Sequence, residues 1–284
     1  MRRDDTRAHE LKRAVPMQII DAQIHLWAGD SAPPHHWRAP YTVERALRDM
    51  DQAGVDRAVN CPAIWDAGAN DYAVEAAQSH PERFATLGWF SLDDSADESL
   101  VDRWLAKPGM LGLRFVLVMP DIADRLASRA LDWLWAAADR REIPVALMVL
   151  PQQLPAVADI AARFPRMRLL MDHLAISPFE RLPGAAAHFE ALLALARQPN
   201  IAIKATAVPS MATDEYPFAS THGLLRQAFN AFGAERTFWG TDITRLHCTW
   251  HECVTMFVDD LPWLRGRDLE LVMGRAVANW IGWP

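Results

Sequence analysis

The chain has 284 residues, 51% apolar and 23% charged, which is enough to bury a sizeable core. Its 29 basic and 36 acidic residues leave a net charge of −7, which argues against a nucleic-acid or anionic-membrane surface. No apolar run approaches the ~20 residues of a membrane span, and the three cysteines, Cys61, Cys248 and Cys253, show no CxxC spacing, which fits a reducing cytoplasm.

Residues 1–16 are polar and charged, without the apolar centre of a secretory signal. They read as a flexible arm, with Met17 a candidate start, ahead of a single domain over 17–284. From there, strand-like runs at 18–24, 55–62, 84–90, 111–118, 144–150, 168–173, 201–206 and 237–240 alternate with amphipathic stretches. Thr42 is placed to cap the first helix and Gly54 to end it, and Asn70 or Asp71 to cap the second. Helical spacing recurs over 96–106, 128–141, 151–163, 185–197, 217–232, 249–259 and 267–280. Eight strands alternating with helices in one chain predict a (β/α)8 TIM barrel. An open doubly wound sheet is the alternative, weakened by the missing Gly-rich fingerprint after the first strand.

In such a barrel the active site forms at the C-terminal ends of the strands. Polar residues gather there: Gln23 and His25 on strand one, Asn60 and Cys61 on strand two with Trp65 in the following loop, and Arg114 on strand four. Asp172 and His173 end strand six, Lys204 and Thr206 strand seven, and Asp242 follows strand eight, while strand five offers only Met148 and Leu150. Strand alternation puts Asp21, Gln23 and His25 on one face. A lone strand-end His is more often a satisfied structural group, and Arg114 and Lys204 could form structural ion pairs. Several ionisable groups converging on one mouth favour a function, since burying them together is costly.

The assembled residues resemble the amidohydrolase-related barrel family, the branch with 2-pyrone-4,6-dicarboxylate lactonase, fuconolactonase-type lactonases and metal-dependent decarboxylases. The resemblance runs from Met17 to Pro284. It is carried by Ile20-Asp21-Ala22-Gln23-Ile24-His25-Leu26-Trp27, Gly54-Val55-Asp56-Arg57-Ala58-Val59, His80-Pro81-Glu82-Arg83-Phe84, Gly112-Leu113-Arg114-Phe115, Met171-Asp172-His173-Leu174, Trp239-Gly240-Thr241-Asp242 and Asn279-Trp280. The resemblance implies a divalent metal held by two His of strand one, a third of strand five and an Asp of strand eight. Here Gln23 stands at the first position and Met148 near the third, leaving His25 and Asp242. A Gln oxygen and a thioether are poor zinc ligands, so a metal-free site is expected, with zinc or manganese the runner-up.

The expected activity is hydrolysis of a small anionic lactone, such as a carboxylated lactone. By resemblance and position, Asp242 is the general base. His25, His173 and Gln23 are expected to donate to the carbonyl oxygen, replacing a metal's Lewis-acid role. Arg114, Lys204 and Arg245 are expected to bind the anion, and Trp27, Trp37 and Trp65 to wall the pocket. The adjacent His35 and His36 read as exposed. The alternatives are a divalent-metal hydrolase or decarboxylase of the same family, and a non-catalytic ligand-binding barrel. Neither a nucleic acid nor a membrane is expected as partner, and a homo-oligomer is open.

Overall fold

In the computed structural model, which describes residues 17–284 apart from Ser31, Asp94 and Pro178, the eight apolar runs form one sheet of parallel strands. They are β1 (Ile20–Ile24), β2 (Arg57–Asn60), β3 (Phe84–Gly88), β4 (Met110–Val116), β5 (Pro144–Met148), β6 (Arg168–Met171), β7 (Ile201–Ala205) and β8 (Thr237–Trp239), hydrogen-bonded in chain order. The helices are α1 (Val43–Ala53), α2 (Ala69–Ser79), α3 (Glu98–Leu105), α4 (Pro120–Ala127), α5 (Asp132–Arg141), α6 (Leu154–Arg163), α7 (Phe189–Ala194), α8 (Val208–Met211), α9 (His222–Phe232), α10 (Trp250–Val258), α11 (Gly266–Glu270) and α12 (Ala276–Ile281). This is the expected (β/α)8 TIM barrel. The expected arm over 1–16 lies outside the described residues.

Local chemistry sets the element ends. Thr42 accepts from the Arg45 amide and Gly54 closes α1 in the left-handed conformation, as expected. The helix buries Val43, Ala46, Met50 and Ala53, one stripe facing the sheet. The cap expected at Asn70 or Asp71 is not formed. Instead α2 starts at Ala69, and the Asn70 amide donates to the Trp89 carbonyl. The single helix expected over 267–280 is broken by a π-type turn at Leu271–Arg275. Gly274 in that turn lies against β1, where an added Cβ would come within 2.5 Å of the Gln18 carbonyl.

Two apolar layers result. Ile20, Ala22, Val59, Ala85, Leu87, Ala146, Leu170, Ala202 and Phe238 fill the barrel interior, and α12 with Trp283 seals its floor. A larger layer, including Ile24, Leu113, Leu147, Leu169 and Ile203, joins the outer sheet face to the helices. In β1 the register slips between Asp21 and Ile24, three residues there spanning two of β2. Asp21 and Gln23 therefore do not share a face as simple alternation predicts. Asp21 turns to β8, where the Thr241 amide, the Thr241 hydroxyl, the Trp250 indole and the Gln23 amide all donate to its carboxylate. Together with the Asp242 amide donating to the Gln23 carbonyl at 2.9 Å, this stitches β1 to β8. Among the described residues no helix is long and apolar enough to cross a membrane.

Candidate active site

Above the apolar interior, the strand ends hold a buried polar cluster. Asp242 follows β8 in a left-handed turn with φ of 53°, a conformation Asp tolerates better than most residues. His173, Leu174 and Ala175 after β6 are left-handed as well, with φ of 51°, 55° and 50°. Consecutive residues in this sparsely populated region are a local strain that the surrounding packing must hold. The turn brings the His173 ring towards Asp242.

The deepest layer is ionic. Lys204 and Arg114 both pair with Asp172, at 2.6 and 2.9 Å. Burial alone would raise the Asp172 pKa, but the two cations pull it well below the ordinary carboxylate range. Lys204 also donates to Gln23 Oε1 at 2.8 Å. Both were expected to bind substrate. Lys204 is completely buried and turned to Asp172 and Gln23, so it acts through them, and Arg114 is largely compensated by the same carboxylate.

That layer dictates hydrogen-bond roles above it. A lysine only donates, so Gln23 Oε1 must accept from it, and the Gln23 amide nitrogen is left facing His173 Nε2 at 3.5 Å. His173 Nδ1 lies 2.8 Å from Thr206 Oγ1, a hydroxyl able to donate or accept. His25 Nδ1 lies 2.5 Å from the Cys61 carbonyl, which can only accept, so His25 Nε2 is a bare acceptor in the neutral ring. Burial lowers the pKa of both rings, that of His173 to about 3, so both are neutral near pH 7. The expectation that His25 donates to a developing oxyanion fails, because its one N–H is taken by the Cys61 carbonyl.

Asp242 sits between them. His25 Nε2 is 3.3 Å from Asp242 Oδ1, His173 Nε2 is 3.6 Å from Oδ2, and Arg245 Nε is 3.7 Å from Oδ2. Neither carboxylate oxygen has a hydrogen-bond partner among the described residues. Burial pushes its pKa up to about 7, against the pull of Arg245 and Arg114. A buried carboxyl facing the His25 lone pair is a proton acceptor in need of a donor.

One residue escaped the sequence reading. His36 was expected to be exposed beside His35, but only His35 is; the His36 ring is turned in and 6% exposed. Its Nδ1 meets Thr244 Oγ1 at 2.8 Å, and its ring lies 4.4 Å from that of Trp65 and 5.4 Å from that of His25. Trp65, expected as a wall, is half-buried against the His25 and His36 rings, whereas Trp27 is fully buried and packs beneath Trp65 and His36. Trp37 is half-buried and lines the outer chamber. This cavity of about 530 Å3, bordered by His36, Phe179, Arg181, Tyr216, Arg245 and His247, leads outward from the cluster. Arg245 stacks on Phe179 at 4.7 Å.

The family's implied metal can be tested on these donors. Gln23 is engaged by Lys204, and Met148 offers a thioether, so the first position of strand one and that of strand five do not fit. A different trio does: ligand atoms of His25, His36 and Asp242 all lie within 4.8 Å of one another.

A family model described as Amidohydrolase matches residues 20–274. The chain belongs to the amidohydrolase family. Among curated relatives of this amidohydrolase is the L-fucono-1,5-lactonase of Burkholderia ambifaria, 26% identical over 238 residues that cover 78% of this chain and 79% of that protein. A zinc-bound amidohydrolase from Burkholderia multivorans has the same fold, with a TM-score of 0.77, 20% identity and coverage of 94% of this chain and 100% of that one. A probable 2-pyrone-4,6-dicarboxylic acid hydrolase from Acinetobacter baumannii, with citric acid bound, gives 0.70 and 17% identity over 94% of this chain and 100% of that one. The family places this amidohydrolase among the hydrolases.

Proposed function

We propose that this amidohydrolase is a metal-independent lactonase, a carboxylic-ester hydrolase acting on a small anionic lactone. The observation that carries the proposal is the buried Asp242 carboxylate, with no hydrogen bond to either oxygen among the described residues and Arg245 alongside. Its chemistry follows from the cluster. Asp242 takes a proton from water as the oxygen attacks the lactone carbonyl carbon. The acquired proton faces His25 Nε2, an acceptor already in place at 3.3 Å.

The carbonyl oxygen gains the negative charge. Donors for it are the Arg245 guanidinium and the Gln23 amide; a preorganised donor of this kind contributes about 2.7–4 kcal/mol. The tetrahedral intermediate then collapses. Its ring C–O bond breaks, the leaving alkoxide takes the proton from Asp242, and a hydroxy acid departs. An ester needs less electrophilic help than an amide, which suits donors in place of a metal. In the cluster three cations, Arg114, Lys204 and Arg245, stand against the two carboxylates Asp172 and Asp242, and this surplus favours an anionic substrate.

A second reading, a divalent-metal hydrolase or decarboxylase, is favoured by the His25, His36 and Asp242 trio and by the zinc in the Burkholderia multivorans relative. Those three residues would hold the ion, which supplies Lewis-acid polarisation of a carbonyl. A panel of lactones and esters, with and without chelator, separates the readings. Ring opening that survives chelation supports the first; turnover abolished by chelator and restored by Zn2+ supports the second. Ligand affinity with no turnover of any lactone would point to a binding barrel instead.

A further inference from the structure

We propose that Phe179, on the loop after β6, is a positioning residue whose ring holds the Arg245 guanidinium beside Asp242 with its N–H groups free for the substrate. Little else fixes that guanidinium. The Arg245 side chain is only 7% exposed, yet among the described residues it makes no hydrogen bond. Its partners are Asp242 Oδ2, 3.7 Å from Nε, and the Phe179 ring, whose centroid lies 4.7 Å from the guanidinium carbon. The first contact is longer than a hydrogen bond, which spans about 2.7–3.2 Å.

A long side chain tied by one loose ion pair keeps much of its rotamer freedom, and Arg114 repels it from the deeper ionic layer. A ring face laid against the guanidinium fixes its plane and leaves every donor unused. A carboxylate would fix the fork by consuming its N–H groups, as Asp172 does with Arg114. For a donor that must meet a charge appearing only during reaction, stacking is the better hold.

The ring itself is 64% exposed, so its own burial does not account for its place at the mouth. What it touches does. Arg245 lies on it from the turn after β8, and the His35 ring meets it edge-on from the loop after β1, at 5.0 Å and 83°. Phe179 thus joins three strand-end loops at the rim of the outer chamber, which all three residues line.

The use of Arg245 as an oxyanion donor rests on the lactonase reading, but where its guanidinium is held is measurable without substrate. The Arg245 Nε–H is followed by 15N relaxation in the substrate-free protein, its resonance identified by its loss in Arg245→Lys. It should be ordered in the wild type and in Phe179→Trp, which keeps an aromatic face, and mobile in Phe179→Leu, which keeps bulk without one. On the lactone that the panel identifies, Phe179→Leu should lower kcat by about 3- to 30-fold, the span of a stacked cation, with KM little changed. Phe179→Trp should recover most of that loss. Combined with Arg245→Met, Phe179→Leu should have no further effect, because the ring then has nothing to hold. A mobile Arg245 Nε in the wild type, unchanged order in Phe179→Leu, or a loss confined to KM would overturn the proposal. The wild-type relaxation stands even if a variant folds poorly. A panel with no turnover would sink the lactonase reading, and relaxation alone would then decide whether the ring holds Arg245.

Discussion

Asp242 shows how the same residue means different things once its neighbours are known. As a strand-end Asp it could have capped a turn; as a buried carboxyl facing His25 and His173 it is positioned to take and return a proton. Asp242→Asn should lower kcat by about 10²–10⁴ with little change in KM, the range for loss of a general base. Steady-state kinetics on the lactone that the panel identifies would check it. On the proposed mechanism the ionised form is the base, so kcat/KM of chelator-treated enzyme should rise with pH and level off above about 7, where burial places this group. A profile flat through that range would remove Asp242 from the role. Lys204 makes a separate prediction, because it is fully buried and holds Asp172 and Gln23 together. Lys204→Met leaves Asp172 only partly compensated and should cost about 3–5 kcal/mol in urea unfolding. Adding Asp172→Asn to that variant should cost more still, since the buried Arg114 guanidinium then loses its carboxylate.

At the level of elements, the turns following β6, β7 and β8 matter more than the strands. His173, Ala207 and Asp242 all take left-handed conformations, and each turn aims a polar group or a chain reversal at the mouth. Every strand is also shorter than its apolar run, because residues such as Leu117 and Val149 continue as buried loop beyond the ladder. Gly240 sits where β8 meets β1: an added Cβ would lie 2.7 Å from Thr206 Cγ2 and 2.9 Å from both the Ala22 amide and Asp21 Oδ1. Two of those three neighbours are fixed in the seam. Gly240→Ala should therefore destabilise the fold by about 1–3 kcal/mol, the usual cost of overpacking. A thermal melt unchanged from wild type would show that the seam gives way easily.

Across the whole molecule, the barrel closes where β1 and β8 meet, and Asp21 is the main polar link there. Four donors converge on it, and burial still pushes its pKa up to about 6, so near pH 7 it is ionised and gathers them as a carboxylate. Asp21→Ala leaves these donors buried without an acceptor, each costing about 1–3 kcal/mol. Hydrogen exchange should then quicken first at the amides of β1 and β8 and last at β4 and β5, on the opposite side of the barrel. Uniform quickening around the sheet would mean that the seam is no weaker than the rest.

The sequence by itself determined the barrel, because eight apolar runs alternating with capped amphipathic stretches leave few other ways to bury both faces of a parallel sheet. It also located His25, His173 and Asp242 at the strand ends and exposed the missing family ligands at Gln23 and Met148. Tertiary structure decided what those residues do. A one-residue bulge in β1 separated Asp21 from Gln23, which alternation had put on one face. Lys204, distant in the chain from both Asp172 and Gln23, could be assigned to them only once β6, β7 and β1 were brought together. His36 was hidden in a Pro-rich loop with no periodicity to say which of two adjacent rings turns inward. A hydrogen bond to the distant Cys61 carbonyl fixed the proton position on His25, and that turned an expected donor into an acceptor. Patterning is local and survives in sequence; donor and acceptor roles are relations between residues far apart in the chain, and only the closed barrel sets them.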